Sequence, residues 1–491
     1  MAATHAVEVA DVPRAPAGRL PMRTQLLYAA GDVSNSVKTV LATLFGLYFY
    51  TTVMGLPASL FGLAAALGLA WDAVIDPYVG HLSDGSRSRF GRRHAFLLAG
   101  AVTMGVGFWA SFSPPRGMSS TGLFLWLVGT GFLVRTATSV FRVPYLALGA
   151  ELSRDYDERT SITAARGLLA VAGALAAGGL SFVVFFPNRE AGVDPKLNYH
   201  GYPVMGLVFG AVMTATALIA TLGTWSRRGP VRRAAPEGAP APLSFRATFA
   251  QCLRNRSFRL LFVSFALFFL GVATNTALSL HFLTYYAGVK ASAALSTFQA
   301  AFYVAGLAGL FFWLKVSRRV EKHRLYVVGV LATAVVTFSA FFLVGEGRLL
   351  GLNNVAALVA GHALVGFFVS ILWFVPPTLI ADVVDEDELA TGRRREGAFF
   401  GLYSFGHQLA SGASMLVTGL LVDRFAGLVP GQAEQTAESV WRLGLLYSLL
   451  PAGLLLAAAL TAMPYAIGRR EVAAIQRELD RRHEAAGGNA V

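Results

Sequence analysis

The sequence predicts an all-α, polytopic membrane protein with twelve transmembrane helices in two pseudo-symmetric six-helix halves. Its 491 residues are 55% apolar or aromatic and only 14% charged, whereas a soluble domain carries roughly 25% charged residues. Twelve apolar runs are long enough to cross a bilayer, and the longest polar segment falls at their midpoint. The composition also excludes a disordered chain, and the single Cys252 excludes a disulfide scaffold.

Each predicted span is an apolar run bounded by charged residues or by Pro and Gly clusters. A helix needs about 20 such residues to cross the hydrocarbon layer. In chain order the spans cover 25–53, 57–83, 94–113, 121–150, 161–186, 201–225, 258–287, 292–316, 324–345, 354–382, 397–423 and 437–467.

The Lys and Arg residues are distributed unevenly between the two faces of this arrangement. An even number of spans brings both termini to one face, where 30 of the 41 Lys and Arg lie, against 7 on the other face. The remaining four are inside spans: Lys38, Arg135, Arg142 and Arg166. Because basic loops stay in the cytoplasm, we expect both termini there, in a bacterial inner (cytoplasmic) membrane. The net charge of +13 then reflects topology, and no nucleic-acid partner is expected.

The spans and their connections predict five segments. These are an N-tail (1–24), a six-helix bundle (25–225), a linker (226–257), a second six-helix bundle (258–467) and a C-tail (468–491). The linker begins with the flexible stretch RRGPVRRAAPEGAPAP and ends in SFRATFAQCLRNRSF, which is typical of a short interfacial helix. The charged C-tail is expected to form a solvated or surface-lying helix. Two halves joined in this way are typical of secondary transporters built from repeats; the alternative is a repeat-free bundle with a coincidental midpoint.

Two acidic residues in the second span are the first candidates for function. Asp72 and Asp76 are four residues apart, so both carboxylates project from one helix face. Two such charges in a low dielectric need a cation, a proton or a basic partner. They suit a coupling-ion site, unless they only hydrate at the mouth of the helix.

Basic and aromatic residues of the fourth and fifth spans are the second group. Arg142 precedes Pro144 and Tyr145 and lies one turn after Ser139. It is a candidate counter-charge to Asp72 and Asp76, an anion-binding group, or half of a static ion pair. Arg166 either faces the cavity or reaches the surface.

Further polar residues lie deep in their spans. In the second half these are Asn275, Trp373, His407 and Gln408, which suit a sugar or headgroup site, although Trp373 and His407 equally suit helix packing. In the first span, Asp32 is expected at the mouth, with Lys38 as its candidate partner, although a spacing of six does not place them on one face.

Three stretches resemble a known family. WDAVIDPYVGHLSDGSRSRFGRRHAF (71–96), ELSRDYDERTSITAAR (151–166) and ADVVDEDELATGRRREGAFFGLYSF (381–405) are similar to the corresponding loops of the glycoside-pentoside-hexuronide:cation symporters. That family belongs to the major facilitator superfamily. The animal lysophospholipid symporters look similar in the same stretches.

The resemblance implies roles for particular residues. Asp72 and Asp76 would form the coupling-cation site, with Ser139 as a hydroxyl ligand, and Arg166 would serve substrate contact or the inner gate. The superfamily's loop motif, which latches the cytoplasmic ends of the halves, is matched by Gly80, Asp84, Arg89, Gly91 and Arg92. Its arginines are expected to reach acidic residues such as Asp385 or Glu388.

The departures from the family pattern narrow the expected function. Arg142 replaces a sugar-contacting aspartate of the melibiose-type carriers, Gln408 replaces their lysine on span eleven, and Ile75 replaces an asparagine beside the second cation-site aspartate. Loss of a neutral oxygen ligand favours H⁺ over Na⁺ as the coupling ion. The positive charge on span four points to an acidic sugar such as a hexuronide.

The expected function is cation-coupled symport of a sugar or glycoside by alternating access, by a monomer without a cofactor and with no metal beyond sodium. A lysophospholipid symporter of the same fold is the alternative, with Phe-rich spans seven to nine as a tail path. An enzyme is not expected, because no HExxH, GxSxG or Cys/His spacing is present. A sensor without transport would lose the coupling carboxylates, which are intact here.

Overall fold

The computed structural model describes residues 20–86, 88–153, 155–188, 193–227 and 245–488. The predicted N-tail up to residue 19 and the linker residues 228–244 lie outside these ranges. The helices of the first half are α1 (Met22–Ala29), α2 (Gly31–Tyr48), α3 (Ala58–Gly85), α4 (His94–Ser111), α5 (Ser120–Leu152), α6 (Tyr156–Leu175), α7 (Ser181–Phe185) and α8 (Gly201–Gly223).

The second half begins after the linker. Its helices are α9 (Phe245–Arg254), α10 (Arg256–His281), α11 (Ser292–Val316), α12 (Lys322–Leu343), α13 (Val355–Val369), α14 (Val375–Thr391), α15 (Glu396–Leu421), α16 (Ala437–Ala462) and α17 (Arg469–Gly488). Helix α17 packs on α14, where the Arg482 guanidinium donates to the Leu389 carbonyl at 2.9 Å.

Eleven membrane-crossing helices are found in the described ranges by length and apolarity. They coincide with the predicted spans except the first, 25–53. That segment is helical as α1, α2 and a π-helical turn at Phe49–Val53. The polar residues Asp32, Asn35 and Lys38 of α2 make it less apolar than the others. The predicted all-α membrane fold is confirmed, and the first of the twelve predicted spans is the one that is not apolar enough to be found in this way.

The two halves repeat the same packing pattern. In the first half, α4 packs on α5 and α8, α3 packs on α5, and α2 packs on α6 and α8. The equivalent helices of the second half repeat all five pairings, with α12 on α13 and α16, α11 on α13, and α10 on α15 and α16. Each half therefore forms one six-helix bundle of the same design.

Four π-helical turns mark equivalent positions in the two halves. They follow α2 and α10, the first helices of the two bundles, and α6 and α15, the fifth helices; the turns are Phe49–Val53, Phe282–Tyr286, Ala176–Leu180 and Val422–Ala426. Turns of this kind are rare and concentrate at functional positions in helices. All four lie at one end of the molecule, opposite the end where the described chain enters at Leu20 and leaves at Gly488. We call these ends the opposite face and the terminal face.

The halves meet at the opposite face. The start of α3 packs against the end of α15 so closely that a Cβ on Gly419 would collide with the carbonyl oxygen of Ala58. The Gly431 amide donates to the Thr51 carbonyl at 2.9 Å. Close approach of helix backbones requires small residues at the contact, which explains the glycine at 419.

A buried polar network lies behind this contact. Lys196 Nζ donates to Asp194 Oδ1 at 2.8 Å, Tyr48 Oη donates to Asp194 Oδ2 at 3.1 Å, and the Tyr48 ring contacts His281 of the second half. Burial lowers the pKa of the Lys196 ammonium, and the Asp194 carboxylate opposes that shift. The loop before α8 is thereby fixed against the junction of the halves.

Asp423 joins the halves directly. Its carboxylate accepts hydrogen bonds from the backbone amides of Ala58 at 3.0 Å and Ser59 at 2.7 Å, at the first turn of α3 in the other half. The first amides of a helix have no intrahelical acceptor, and the positive end of the helix dipole favours a carboxylate there. One side chain of the second half therefore caps a helix of the first.

The terminal face differs. The hydrogen bonds that we find between described residues of the two halves all lie toward the opposite face. At the terminal face, Arg92 and Arg93 bind Glu151 of their own half, and Arg394 binds Glu388 of its own half. Among the described residues, the hydrogen bonds between the halves are thus concentrated at the opposite face.

The helix cap by Asp423 predicts a conformational effect. In a Cys252→Ser background, a reporter cysteine at the buried Leu428, beside the same contact, should react slowly with a maleimide. Asp423→Ala should raise its labelling rate by about 2- to 30-fold, because loss of a helix-capping acceptor costs about 0.5–2 kcal/mol. Glu434→Ala is the control, since Glu434 is exposed on the same face. An unchanged labelling rate in Asp423→Ala would contradict a role of the Asp423 cap in holding the two halves together.

Candidate functional site

A cavity of about 490 Å³ lies between the two halves. Helices α2, α3 and α5 line it from the first half, and α10, α11 and α15 from the second. Its charged and strongly polar lining residues are Asp72, Arg135, Gln299, His407 and Gln408. A cleft at the interface of two repeats is where secondary transporters bind substrate.

Asp72 forms an ion pair with Arg135 of α5. A Cβ at Gly68 of α3 would collide with the Arg135 side chain, so the glycine lets the guanidinium lie directly against α3. Both side chains remain partly exposed to the cavity, Asp72 at 19% and Arg135 at 33%. Pairing with Asp72 was one of the alternatives predicted for Arg142; the structure does not show it, because Arg135, about two turns earlier on α5, lies level with Asp72 and occupies the carboxylate.

Asp76 lies one helical turn along α3 and accepts a hydrogen bond from Ser139 of α5. The spacing of four on α3 matches the spacing of four between Arg135 and Ser139 on α5. The helices run in the same direction, so the two contacts form successive rungs between them. The predicted proximity of Asp76 and Ser139 is observed.

We call the contacts Asp72–Arg135 and Asp76–Ser139 the ladder. Two cations near it have no anionic partner within 4.0 Å in the part of the chain that the structure describes. Arg142 has an exposed side chain and makes no ion pair there. Lys38 lies within electrostatic range of Arg135, Arg142, Asp72 and Asp76. With both aspartates ionised and Lys38 protonated, the three cations Lys38, Arg135 and Arg142 exceed the two carboxylates by one charge.

Arg166 faces inward and binds Asp32, with Nε at 2.5 Å from Oδ2 and Nη2 at 3.2 Å from Oδ1. Tyr145 Oη lies 2.9 Å from the same Oδ2 and its ring stacks on Tyr28. This cluster settles two alternatives: Arg166 does not extend to the surface, and Asp32 does not pair with Lys38. Bidentate contacts of this kind hold helices in a defined arrangement.

The remaining predicted residues divide into two groups. His407 and Gln408 line the central cavity, where the His407 ring packs edge-on against Phe269 at 4.2 Å between centroids. Asn275 instead donates to the Tyr447 carbonyl at 3.0 Å. Trp373 packs over Gly306, and a Cβ there would lie 2.7 Å from the indole. Neither Asn275 nor Trp373 lines the central cavity.

The loop residues predicted to latch the halves make contacts within their own half. Asp84 pairs with Arg93 at 2.7 Å, Arg92 with Glu151 at 2.5 Å, and Arg89 lies over the Phe90 ring. The expected contacts of these arginines with Asp385 or Glu388 are wrong for this conformation, because Arg394 occupies both carboxylates, at 3.3 and 2.8 Å.

The glycines of that loop motif have distinct local roles. Gly91 has a φ of 96°, a conformation that favours glycine. Gly80 lies opposite Val143 of α5, which a Cβ would contact at 3.7 Å. The motif therefore fixes the turn and the helix contact even where its charges do not cross to the other half.

Sequence reasoning missed the ion-pair partners of Asp72 and Asp32. Arg135 was noted only as one of the four basic residues inside spans, although its distance of four residues from Ser139 matches that between Asp72 and Asp76. Asp32 and Arg166 are far apart in sequence, and nothing in the local pattern links them.

A family model described as MFS/sugar transport protein matches residues 27–469. The chain belongs to this family. Its members are transporters and not enzymes, and the protein is an integral membrane protein with many apolar helices.

Two relatives and one solved structure illustrate the similarity. The glucuronide carrier protein homolog of Escherichia coli is 24% identical over 94% of this chain and 96% of its own. The sodium-dependent lysophosphatidylcholine symporter 1 of Gallus gallus is 25% identical over 89% of this chain and 85% of its own. The crystal structure of a D-xylose-proton symporter has a TM-score of 0.60 at 15% identity, covering 90% of this chain and 97% of that one, and this likeness concerns the fold alone.

The Asp32–Arg166 pair can be tested with a double-mutant cycle on thermal unfolding in detergent. Asp32→Asn and Arg166→Gln should each destabilise the protein, because each leaves one buried charge without its partner. The double variant should be less destabilised than the sum, with a coupling energy of about 0.5–3 kcal/mol. The exposed Glu438–Arg442 pair is the control and should couple by about 0.3–0.5 kcal/mol. Equal coupling in the two pairs would contradict the structural role assigned to Asp32.

Proposed function

We propose that this protein is a proton-coupled symporter of a sugar or glycoside that works by alternating access. The observation that carries the proposal is the position of Asp72, which faces the cavity between the halves with Arg135 as its ion-pair partner. An ionisable residue inside a span costs about 2.5–3.5 kcal/mol at the helix centre on insertion scales. A carboxylate that remains accessible from such a cavity suits reversible binding of an ion.

In the proposed cycle, a proton that binds Asp72 removes the charge that holds Arg135. The guanidinium is then free to bind an anionic or hydroxyl group of the substrate in the same cavity. Protonation also increases the excess positive charge of the site, so proton and anionic substrate favour each other's binding. By thermodynamic linkage this mutual effect is equal in both directions, as symport requires.

Asp76 is assigned the second position of the coupling site. Its hydrogen bond from Ser139 stabilises the ionised carboxylate, which Arg135 does not contact. Protonation of Asp76 would weaken the contact between α3 and α5. Helix α3 also packs across the interface on α15, so a change at Asp76 reaches the junction of the two halves.

The site favours H⁺ over Na⁺. Sodium is a hard cation that requires several oxygen ligands, whereas a guanidinium occupies Asp72 and the residue before Asp76 is the apolar Ile75. The names of the similar proteins do not agree on the ion, since one is a proton symporter and another is sodium-dependent. The choice of proton therefore rests on the residues of this chain.

Alternating access requires a second conformation. The present one is joined at the opposite face through Asp423, and the motif that includes Asp84 and Arg92 lies at the terminal face, where we find no hydrogen bond between the halves among the described residues. We assign the terminal face to the cytoplasm of a bacterial inner membrane and the transporting unit to a monomer. In the reverse state the Asp423 contact would break, and the charged loops at 84–93 and 385–396 would meet.

Lysophospholipid transport is the competing function, and the similarity to the lysophosphatidylcholine symporter favours it. On the predicted tail path along the Phe-rich spans seven to nine, Phe269 lines the central cavity. Phe311 and Phe312 are 70% and 50% exposed, and Phe265 and Phe268 are buried in the second half. None of these four residues lines the cavity. A competition uptake screen of sugars against lysophosphatidylcholine separates the two functions.

Replacement of Asp76 tests the coupling assignment. In proteoliposomes with an imposed proton gradient, Asp76→Asn should abolish accumulation of the sugar identified by that screen. Counterflow exchange of the same sugar should partly survive, because it needs no net proton movement. Glu434→Gln removes an exposed carboxylate elsewhere and should leave both activities unchanged. Undiminished uphill uptake in Asp76→Asn would show that the carboxylate does not couple, and uptake driven by a sodium gradient alone would reject the proton.

A further inference from the structure

A second cavity of about 300 Å³ lies inside the first half, between α2, α3, α4 and α5. Its inner wall is apolar and largely aromatic. Tyr50, Phe61, Phe108, Phe112 and Val134 are each at most 8% exposed and line the pocket. Of the two ladder contacts, only the Asp72–Arg135 pair borders this space, through Arg135. We call this space the side pocket.

The side pocket adjoins the central cavity. The two share the lining residues Thr39, Ala42, Thr43, Phe61, Ala65 and Arg135. A molecule bound between the halves therefore lies next to the side pocket, on the same side of α2 and α5.

The rim of the side pocket is cationic. Lys38 and Arg135 both line it, and Arg135 is already paired with Asp72. The Lys38 ammonium has no hydrogen-bond or ion-pair partner among the residues that the structure describes. A charge placed beside a membrane-embedded apolar pocket without a partner indicates a ligand of opposite charge.

We propose that the side pocket binds the apolar ring of an amphipathic anion whose acidic group lies against Lys38. This inference rests on the proposed symport function and specifies its substrate as an acidic glycoside with an apolar, ring-sized aglycone. Lys38 recognises the acid by a charge-assisted hydrogen bond, and the aromatic wall excludes water from the ring.

The size of the pocket limits the aglycone. An apolar protein cavity of roughly 150 Å³ holds a benzene molecule, so this pocket accepts one ring or a compact two-ring group. A long acyl chain would need to continue past Phe108 and Phe112, which are 1% and 3% exposed and close the inner end. The pocket thus favours an aromatic glycoside over a lysolipid.

Two glycines of α5 provide a matched pair of variants. Gly131 lines the side pocket, and a Cβ there meets no atom within 4 Å. A leucine at 131 should therefore fill the pocket without moving the helix. Gly129 also has free space around its Cβ, but it is exposed and does not line the pocket. Gly129→Leu thus controls for the change in helix propensity.

The experiment measures equilibrium binding to the full chain in detergent by calorimetry, so it needs no ion gradient. Phenyl β-D-glucuronide should bind at least about tenfold more tightly than methyl β-D-glucuronide, because its ring leaves water. Gly131→Leu should reduce this ratio to about two or less while the affinity for the methyl compound stays unchanged. Gly129→Leu should keep the ratio of the unsubstituted protein.

A second variant tests the charge. Lys38→Gln should weaken binding of both glucuronides by about tenfold, as expected for loss of one charge-assisted hydrogen bond. It should leave the affinity for the neutral phenyl β-D-glucoside unchanged. Lys38→Arg, which keeps the charge, should retain most of the affinity for the acids.

Several results would overturn the inference. Equal binding of phenyl and methyl glucuronides, or no binding of either, would remove the aromatic acid as the ligand class. If Gly131→Leu still binds phenyl β-D-glucuronide more tightly than methyl β-D-glucuronide, the phenyl ring binds outside the side pocket. If lysophosphatidylcholine binds more tightly than phenyl β-D-glucuronide and Gly131→Leu abolishes that binding, the side pocket holds an acyl chain. A carrier that shows the expected binding but no gradient-driven uptake would contradict the proposed symport and leave the pocket assignment intact.

Discussion

The low dielectric of the bundle interior makes an unpaired charge costly, and the contacts among Asp32, Asp72, Asp76 and their partners in the first half follow from this constraint. Asp72 and Asp76 cannot both be ionised one turn apart without compensation. Arg135 and Ser139 of α5 supply it in two successive rungs, and Arg166 does the same for Asp32. Because these contacts join different helices, any ion that competes for a carboxylate also acts on helix packing. The same interactions that hold the first half together are therefore those through which an ion can change its conformation.

The second half contributes neutral polar side chains to the central cavity and a carboxylate to the contact between the halves at the opposite face. His407 and Gln408 supply neutral polar groups to the cavity, whereas Asp423 caps the first turn of α3 across the interface. This cap is a single contact in a region otherwise sealed by glycine-mediated packing and a buried polar network. It is accessible to substitution without disturbing the ladder. The two halves share one fold but differ in role: the first carries the charged residues that respond to an ion, and the second carries the carboxylate that holds the opposite face closed.

The sequence was sufficient to predict the fold class, because composition, span lengths and the position of the linker can be read along the chain without knowing which helices pack together. It was also sufficient to place Asp72 and Asp76 on one face of α3, from their spacing of four, whereas Ser139 was expected beside them from the family resemblance. It was insufficient for the partners, since Arg135 and Arg142 both lie on α5 and only the register between α3 and α5 decides which of them meets Asp72. Asn275 and Trp373 illustrate the converse error, because depth within a span does not determine which way a side chain points. The loop arginines differ from expectation because their contacts depend on the conformation of the whole carrier.

Lys38 lies between the charged ladder and the apolar side pocket. It lies on α2 in the first span, and like Arg142 it forms no ion pair with the carboxylates of the ladder among the described residues. A static structural cation would be expected to have a carboxylate within reach, as Arg166 and Arg135 do. Its neighbours instead are two further cations, two already engaged aspartates and an apolar pocket. An unmatched charge of this kind destabilises the unliganded protein, and an anion that neutralises it regains that free energy on binding. Protonation of Asp72 would enlarge the imbalance, so the surplus cation on α2 links the affinity for an acidic substrate to the state of the coupling carboxylate on α3.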